Sequence, residues 1–164
     1  MFSAISKIIC ISLRGRDKRR AQAEAEFESA GIASRIDWLI VDPHPEPKAG
    51  FSQSQVKALE MCQGHEHALI FEDDFIFTGD ISLSTIMREL PPEYLACWLG
   101  GNVRTQNRNR CTPHLWLCGN TWATHAMLYS KAGVKAILER YEAPETISDP
   151  GQIYDEWLRT QLQP

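Results

Sequence analysis

The sequence predicts an α/β fold, a largely parallel sheet with helices on its faces, and three observations carry that expectation. Apolar, β-branched runs without polar alternation read as strands buried on both faces. Stretches of strong helix formers separate them. The order through the first half is strand, helix, strand, loop, helix, strand, and right-handed crossovers limit how such a chain winds into one sheet.

Each element has its own signals. Residues 7 to 13 form an apolar run closed by the basic stretch RGRDKRR, as expected of a first core strand. Asp17 is placed to cap a helix running to Ala30, and Gly31 supplies the stop. Residues 36 to 41 (IDWLIV) read as a second strand, ended by DPHPEPK, in which Pro43, Pro45 and Pro47 forbid regular pairing. Residues 52 to 62 put Val56, Leu59 and Cys62 on one helical face, and 68 to 71 (ALIF) make a third short strand. Residues 82 to 90 suit a helix stopped by Pro91 and Pro92, and 94 to 99 a strand stopped by Gly100 and Gly101. The stretch VRTQNRNRC has no apolar period and reads as a surface loop exposing Arg104, Arg108 and Arg110. Residues 126 to 129 give another strand. Ser130 caps a helix to about Tyr141 with Val134, Ile137, Leu138 and Tyr141 inward, and a last helical piece lies around residues 154 to 162. No repeat or boundary interrupts the chain, so residues 1–164 are expected to form a single domain.

Composition narrows the classes. The hydrophobic fraction of 43% sits near the globular average, which argues against a disordered or fibrous chain. A formal charge of −4 gives no reason to expect nucleic-acid binding. The five basic side chains within RGRDKRR are either a solvated helix start or a phosphate contact. Cys10, Cys62, Cys97, Cys111 and Cys118 are odd in number, lack C-x-x-C spacing and suit buried thiols in a reducing compartment. The run IICISL is too short for a signal-peptide core or a membrane span, so a cytoplasmic protein without a transmembrane segment is expected, with peripheral membrane association left open.

The chemistry concentrates in Glu72, Asp73 and Asp74. Three consecutive carboxylates repel one another and raise at least one pKa unless a cation offsets them. Hard divalent ions such as Mg²⁺ and Mn²⁺ prefer such oxygens and leave coordination positions for water or phosphate. In an open α/β sheet the ligand crevice lies beyond the carboxyl ends of the strands, where this trio falls. A solvated acidic turn is the alternative, but ALIF on one side and FIF on the other pin the turn between buried segments. Cys111, His114, Cys118 and His125 could be assembled as a zinc site, although the spacing fits no common finger; Cys62, His65 and His67 read more simply as a polar turn. No G-x-G-x-x-G, Walker A or G-x-S-x-G motif occurs, and neither Asp73 nor Asp74 is followed two positions on by another Asp, as an Asp-x-Asp phosphatase requires.

Several blocks in order carry a resemblance. They are IICISLRGRDKRR with Leu13, Arg16 and Arg19; AGFSQSQ with Gly50, Ser54 and Gln55; ALIFEDDF; WATHAMLYSKAGVKAILE with Thr124, His125, Ala126, Ser130 and Gly133; and Asp155 near the end. Together, from about residue 7 to 158, they resemble glycosyltransferase family 25, the lipopolysaccharide-type and collagen-type sugar transferases with a GT-A fold. Gln55 stands where that family usually has histidine, and the chain is short for the fold.

The resemblance implies a GT-A-like mixed, mainly parallel sheet flanked by helices. It further implies transfer of a sugar from a nucleotide-sugar donor, a UDP-sugar, to a hydroxyl of a glycan or protein, with Mn²⁺ or Mg²⁺ as cofactor, in surface glycan or lipopolysaccharide synthesis or protein glycosylation. Asp74 would be the direct metal ligand, with Glu72 and His125 as further ligands, although His125 equally suits an interior hydrogen bond. Leu13, Arg16, Arg19, Ser54, Gln55, Glu72 and Asp73 would bind the donor, Arg16 being the best basic contact because its planar fork matches phosphate and ribose oxygens. Asp155 or Asp149 would be the general base. Trp98, Trp116 and Trp122 could stack on a sugar, with core packing the better default. The alternatives are a non-catalytic nucleotide-sugar-binding or interaction module with a minimal GT-A fold, which the short chain and Gln55 suggest, and a nucleotidyltransferase.

Overall fold

The computed structural model describes residues 2, 4–79, 81–103, 108–118 and 121–162, the side chains of Val103 and Arg108 excepted. In chain order the elements are β1 (Lys7–Leu13), α1 (Asp17–Ser29), β2 (Ile36–Val41), α2 (Pro47–Met61), β3 (His67–Glu72), α3 (Leu83–Glu89), β4 (Ala96–Val103), β5 (Arg108–Arg110), β6 (Trp116–Cys118), β7 (Thr121–Ser130), α4 (Lys131–Leu138) and α5 (Tyr154–Gln161). Single 3₁₀ turns at Ala33–Arg35 and Pro150–Gln152 precede β2 and α5.

The main sheet has the order β2-β1-β3-β7-β4. β1 pairs in parallel with β2 and β3, whereas β7 pairs antiparallel with β3 and β4, so four strands run one way and β7 runs against them. This is an α/β fold with a mixed, mainly parallel sheet flanked by helices, broadly the arrangement of Rossmann-type and GT-A-like proteins.

Strand alternation divides the core in two. Ile8 and Cys10 of β1, Leu69 and Phe71 of β3 and Leu128 of β7 face Phe27 of α1 and Leu83 and Ile86 of α3. Ile9 and Ile11, Ala68 and Ile70, and Met127 and Tyr129 face α2, α4 and α5 through Leu59, Ile137 and Leu158. Because both faces are covered, the central strands are continuously apolar, as the sequence predicts.

Several boundaries differ from expectation. α2 begins five residues early because Pro47 occupies its first turn, where a missing N–H costs nothing. Gly100 and Gly101 lie inside β4 rather than ending it, and β7 extends back to Thr121. Part of VRTQNRNRC is the strand β5, paired with β6. Arg110 there is exposed; Arg104 and the side chain of Arg108 lie outside the described residues. Trp116 and Leu117 are 47% and 49% exposed, so the core packing expected as the default for Trp116 is overturned; Arg110 stacks over the Trp116 ring at 5.6 Å. Ser82 and Ser130 cap α3 and α4 by accepting from Thr85 N at 3.2 Å and Gly133 N at 3.0 Å.

Candidate metal centre

Parallel strands end at one edge of the sheet, and β7, running the other way, begins there. The turn after β3 therefore meets the first half of β7 beyond the carboxyl ends of β1 and β3. Glu72, Asp74 and His125 each offer a ligand atom at this edge, and these atoms all lie within 4.8 Å of one another. Among the described residues no other group of three acids, histidines or cysteines comes together in this way. A tri-residue cluster that could coordinate a divalent ion is thus present.

The partners of each carboxylate are specific. Thr124 Oγ1 donates to Glu72 Oε1 at 2.6 Å, and Gln55 Nε2, from fully buried Gln55 of α2, lies 3.4 Å from both of those oxygens. Ser12 Oγ, near the end of β1, donates to Asp73 Oδ2 at 2.6 Å. His125 Nδ1 is 3.0 Å from Asp74 Oδ1, and Arg19 Nη1 from α1 is 3.3 Å from Asp74 Oδ2 and 3.8 Å from Asp73 Oδ1. Burial raises the Glu72 pKa; the Thr124 hydroxyl and the His125 ring oppose this, while Asp74 and Asp155 add to it. Asp155, at the start of α5, is also raised by burial, partly offset by the backbone N–H groups of Glu156 and Ala123.

The edge carries a local irregularity. On β4 the register passes from Gly100 opposite Ala126 to Asn102 opposite Trp122, so Ala123, Thr124 and His125 face the single residue Gly101. Such a bulge bends a strand and re-aims its side chains. Ala123 has φ of 67°, the one positive value at a non-glycine residue among those described. Gly101 makes room: a Cβ there would lie 3.1 Å from Trp122 O, Thr121 Cγ2 and Trp98 Cδ1.

The remaining residues singled out from the sequence fall elsewhere. Leu13 is exposed at the end of β1, and Arg16 is exposed after the turn at Gly15. Ser54 donates to Phe51 O of its own helix at 2.7 Å and lines a separate cleft of about 240 Å³ with Val41, Asp42 and His44. Asp149 caps the 3₁₀ turn, its Oδ1 accepting from Gly151 N at 2.7 Å, and the charge of Asp155 adds to the rise of the Glu72 pKa. The zinc grouping does not form: His114 pairs with Glu89 at 2.6 Å, His125 with Asp74, and exposed Cys111 points Sγ to Asn109 O at 3.6 Å. His67 shares a hydrogen bond of 2.8 Å with Tyr94 Oη. Trp98 packs against the core face of α2, α4 and α5, and Trp122 lies under the Arg159 guanidinium at 5.4 Å.

Sequence reasoning left Ser12, Thr124 and Ala123 out of the site. Ser12 carries a faint signal as the one hydroxyl in an otherwise apolar strand facing the acidic turn, whereas the conformation of Ala123 has none.

No protein-family model matches the chain, and no curated protein matches it. The likeness to glycosyltransferase family 25 therefore rests on the motif blocks, and the fold adds a generic GT-A-like arrangement of sheet and helices. No helix among the described residues is long and apolar enough to cross a membrane.

Proposed function

We propose that this chain is a metal-dependent glycosyltransferase that moves a sugar from a UDP-sugar to a hydroxyl acceptor. The observation that carries the reading is the convergence of Glu72, Asp74 and His125 at the strand-end edge of a GT-A-like sheet. Two carboxylates and one imidazole make a mainly hard donor set that suits Mn²⁺ or Mg²⁺, with Mn²⁺ accepting the ring nitrogen more readily. When bound there, the ion would supply positive charge to the diphosphate of the leaving nucleotide.

The chain's own residues divide the other tasks. Arg19, beside Asp73 and Asp74, and exposed Arg16 donate to donor phosphate oxygens. Ser12 holds Asp73 in place at 2.6 Å, and Thr124 and Gln55 hold Glu72. Asp155 accepts the proton of the acceptor hydroxyl; its raised pKa makes it a stronger base than an ordinary carboxylate, so turnover rises with pH as it deprotonates. Acceptor classes in keeping with the reading are glycans, including surface lipopolysaccharide, and protein hydroxyls.

The test combines Mn²⁺ with a panel of sugar nucleotides while following thermal stability and nucleotide release. A rise in Tm on adding Mn²⁺ and one UDP-sugar, with UDP released and both effects lost in Asp74→Asn, is the expected result. Silence toward every sugar nucleotide would sink the reading. Binding without any UDP release, including slow hydrolysis, would instead favour a nucleotide-sugar-binding module, and pyrophosphate as product would indicate a nucleotidyltransferase.

A further inference from the structure

Two of the three side chains in the metal cluster come from the turn after β3, but His125 comes from a strand that would, in regular pairing, present it differently. Between Trp122 and Ala126, β7 carries two more residues than its partner strand can match. Within that excess Ala123 turns to φ of 67°, in the left-handed region that an L-residue with a Cβ seldom adopts. Against β3, β7 runs in regular register from Ala126 to Ser130, whereas against β4 a further shift lies between Trp98 and Gly100, so the irregularity is confined to the β4 side. What the turn accomplishes is local and twofold. It brings Thr124 Oγ1 to Glu72 at 2.6 Å and His125 Nδ1 to Asp74 at 3.0 Å. Gly101 on the facing strand leaves the space the bulge occupies.

We infer that Ala123 is a positioning residue: its left-handed conformation sets the bulge that delivers His125 and Thr124 to the acidic turn. The inference rests on the proposed metal centre and adds to it the device that assembles it. Backbone conformation at residue 123, rather than side-chain bulk, then governs metal affinity.

Four variants separate those two properties. Glycine and asparagine tolerate φ above zero, whereas valine, close to asparagine in volume, does not. Mn²⁺ affinity is read by electron paramagnetic resonance and folding by far-UV circular dichroism, together with the coupling constant that reports φ at residue 123. Ala123→Gly and Ala123→Asn are expected to bind Mn²⁺ within about threefold of the parent, with Tm unchanged or higher, and Ala123→Val and Ala123→Ile to bind at least about tenfold more weakly while keeping their helix and strand content. Equal affinity in a folded valine variant overturns the inference and leaves the metal centre standing. If the branched variants do not fold, the asparagine variant decides: folded, with φ still positive, it must bind as the parent does, and weaker binding rejects the inference. If the parent chain itself binds no Mn²⁺, the metal centre falls and the inference with it.

Discussion

Thr124 acts on Glu72 through a single hydroxyl. Its 2.6 Å hydrogen bond lowers the pKa of a carboxyl that burial drives up, so it keeps that group available as an anion. Thr124→Val preserves the shape and removes the donor. The Glu72 pKa should then rise further, and because a ligand carboxylate must be deprotonated, the pH midpoint of Mn²⁺ binding moves upward while affinity at neutral pH drops roughly tenfold. A pH titration of Mn²⁺ affinity checks this; an unmoved midpoint would show that the hydroxyl is packing only. At this scale the sequence is informative about chemical type and poor about contact. EDD announces an acidic turn by itself, yet nothing in the string ALIFEDDF says that Thr124, Ser12 and Arg19 are its partners.

Among the elements, the β5–β6 hairpin is the one the sequence concealed. Its residues are polar or exposed, so no period of 2 marks it against a core. Tertiary contact with α3 holds it instead: Glu89 accepts from Thr112 Oγ1, from His114 N at 2.9 Å, and pairs with the His114 ring at 2.6 Å. These donors depress the Glu89 pKa from 4.5 to about 2, the Thr112 hydroxyl contributing most. A carboxyl depressed in the folded state stabilises fully above its unfolded pKa and loses that contribution as pH falls through the folded one. The hairpin should therefore be firmly docked above about pH 4.5 and loosen as pH approaches about 2. Glu89→Gln should remove this dependence. Amide exchange at residues 111 to 115, compared between parent and variant across that window, tests it, and parallel curves would exclude the role. The long apolar strands and capped helices, by contrast, are legible because burial on two faces and a capping serine leave local marks.

Over the whole molecule the sheet separates two cores, and the one beneath α1 depends on an aromatic cluster. Phe27 is fully buried, with ring centroids 4.8 Å from Phe75, 5.3 Å from Phe71 and 5.9 Å from Trp38. Phe27→Ala would leave a cavity joining α1, β2 and the segment after β3, and should cost about 3 to 5 kcal/mol. Urea unfolding measures this, and a loss below about 1 kcal/mol would mean that the cluster collapses to fill the space. Since α1 also carries Arg19 to the acidic turn, the same variant should weaken that ion pair while leaving β7 in register. On the other face, Tyr129 and Tyr154 share a buried hydrogen bond of 2.9 Å that seats α5 on the sheet next to Asp155.

By itself the sequence determined the α/β class, most of the strands and helices, and an acidic turn at the end of a buried strand, because each is written in periodicity, capping residues or composition over a few neighbours. Tertiary structure decided which side chains meet that turn. Strand order and register bring Ser12 to Asp73 across 61 positions and Thr124 to Glu72 across 52. They also turn Ala123 through a conformation that no local pattern encodes. The physical reason is that hydrophobic periodicity records how a segment is buried, whereas a binding site depends on which segments lie side by side and in what register.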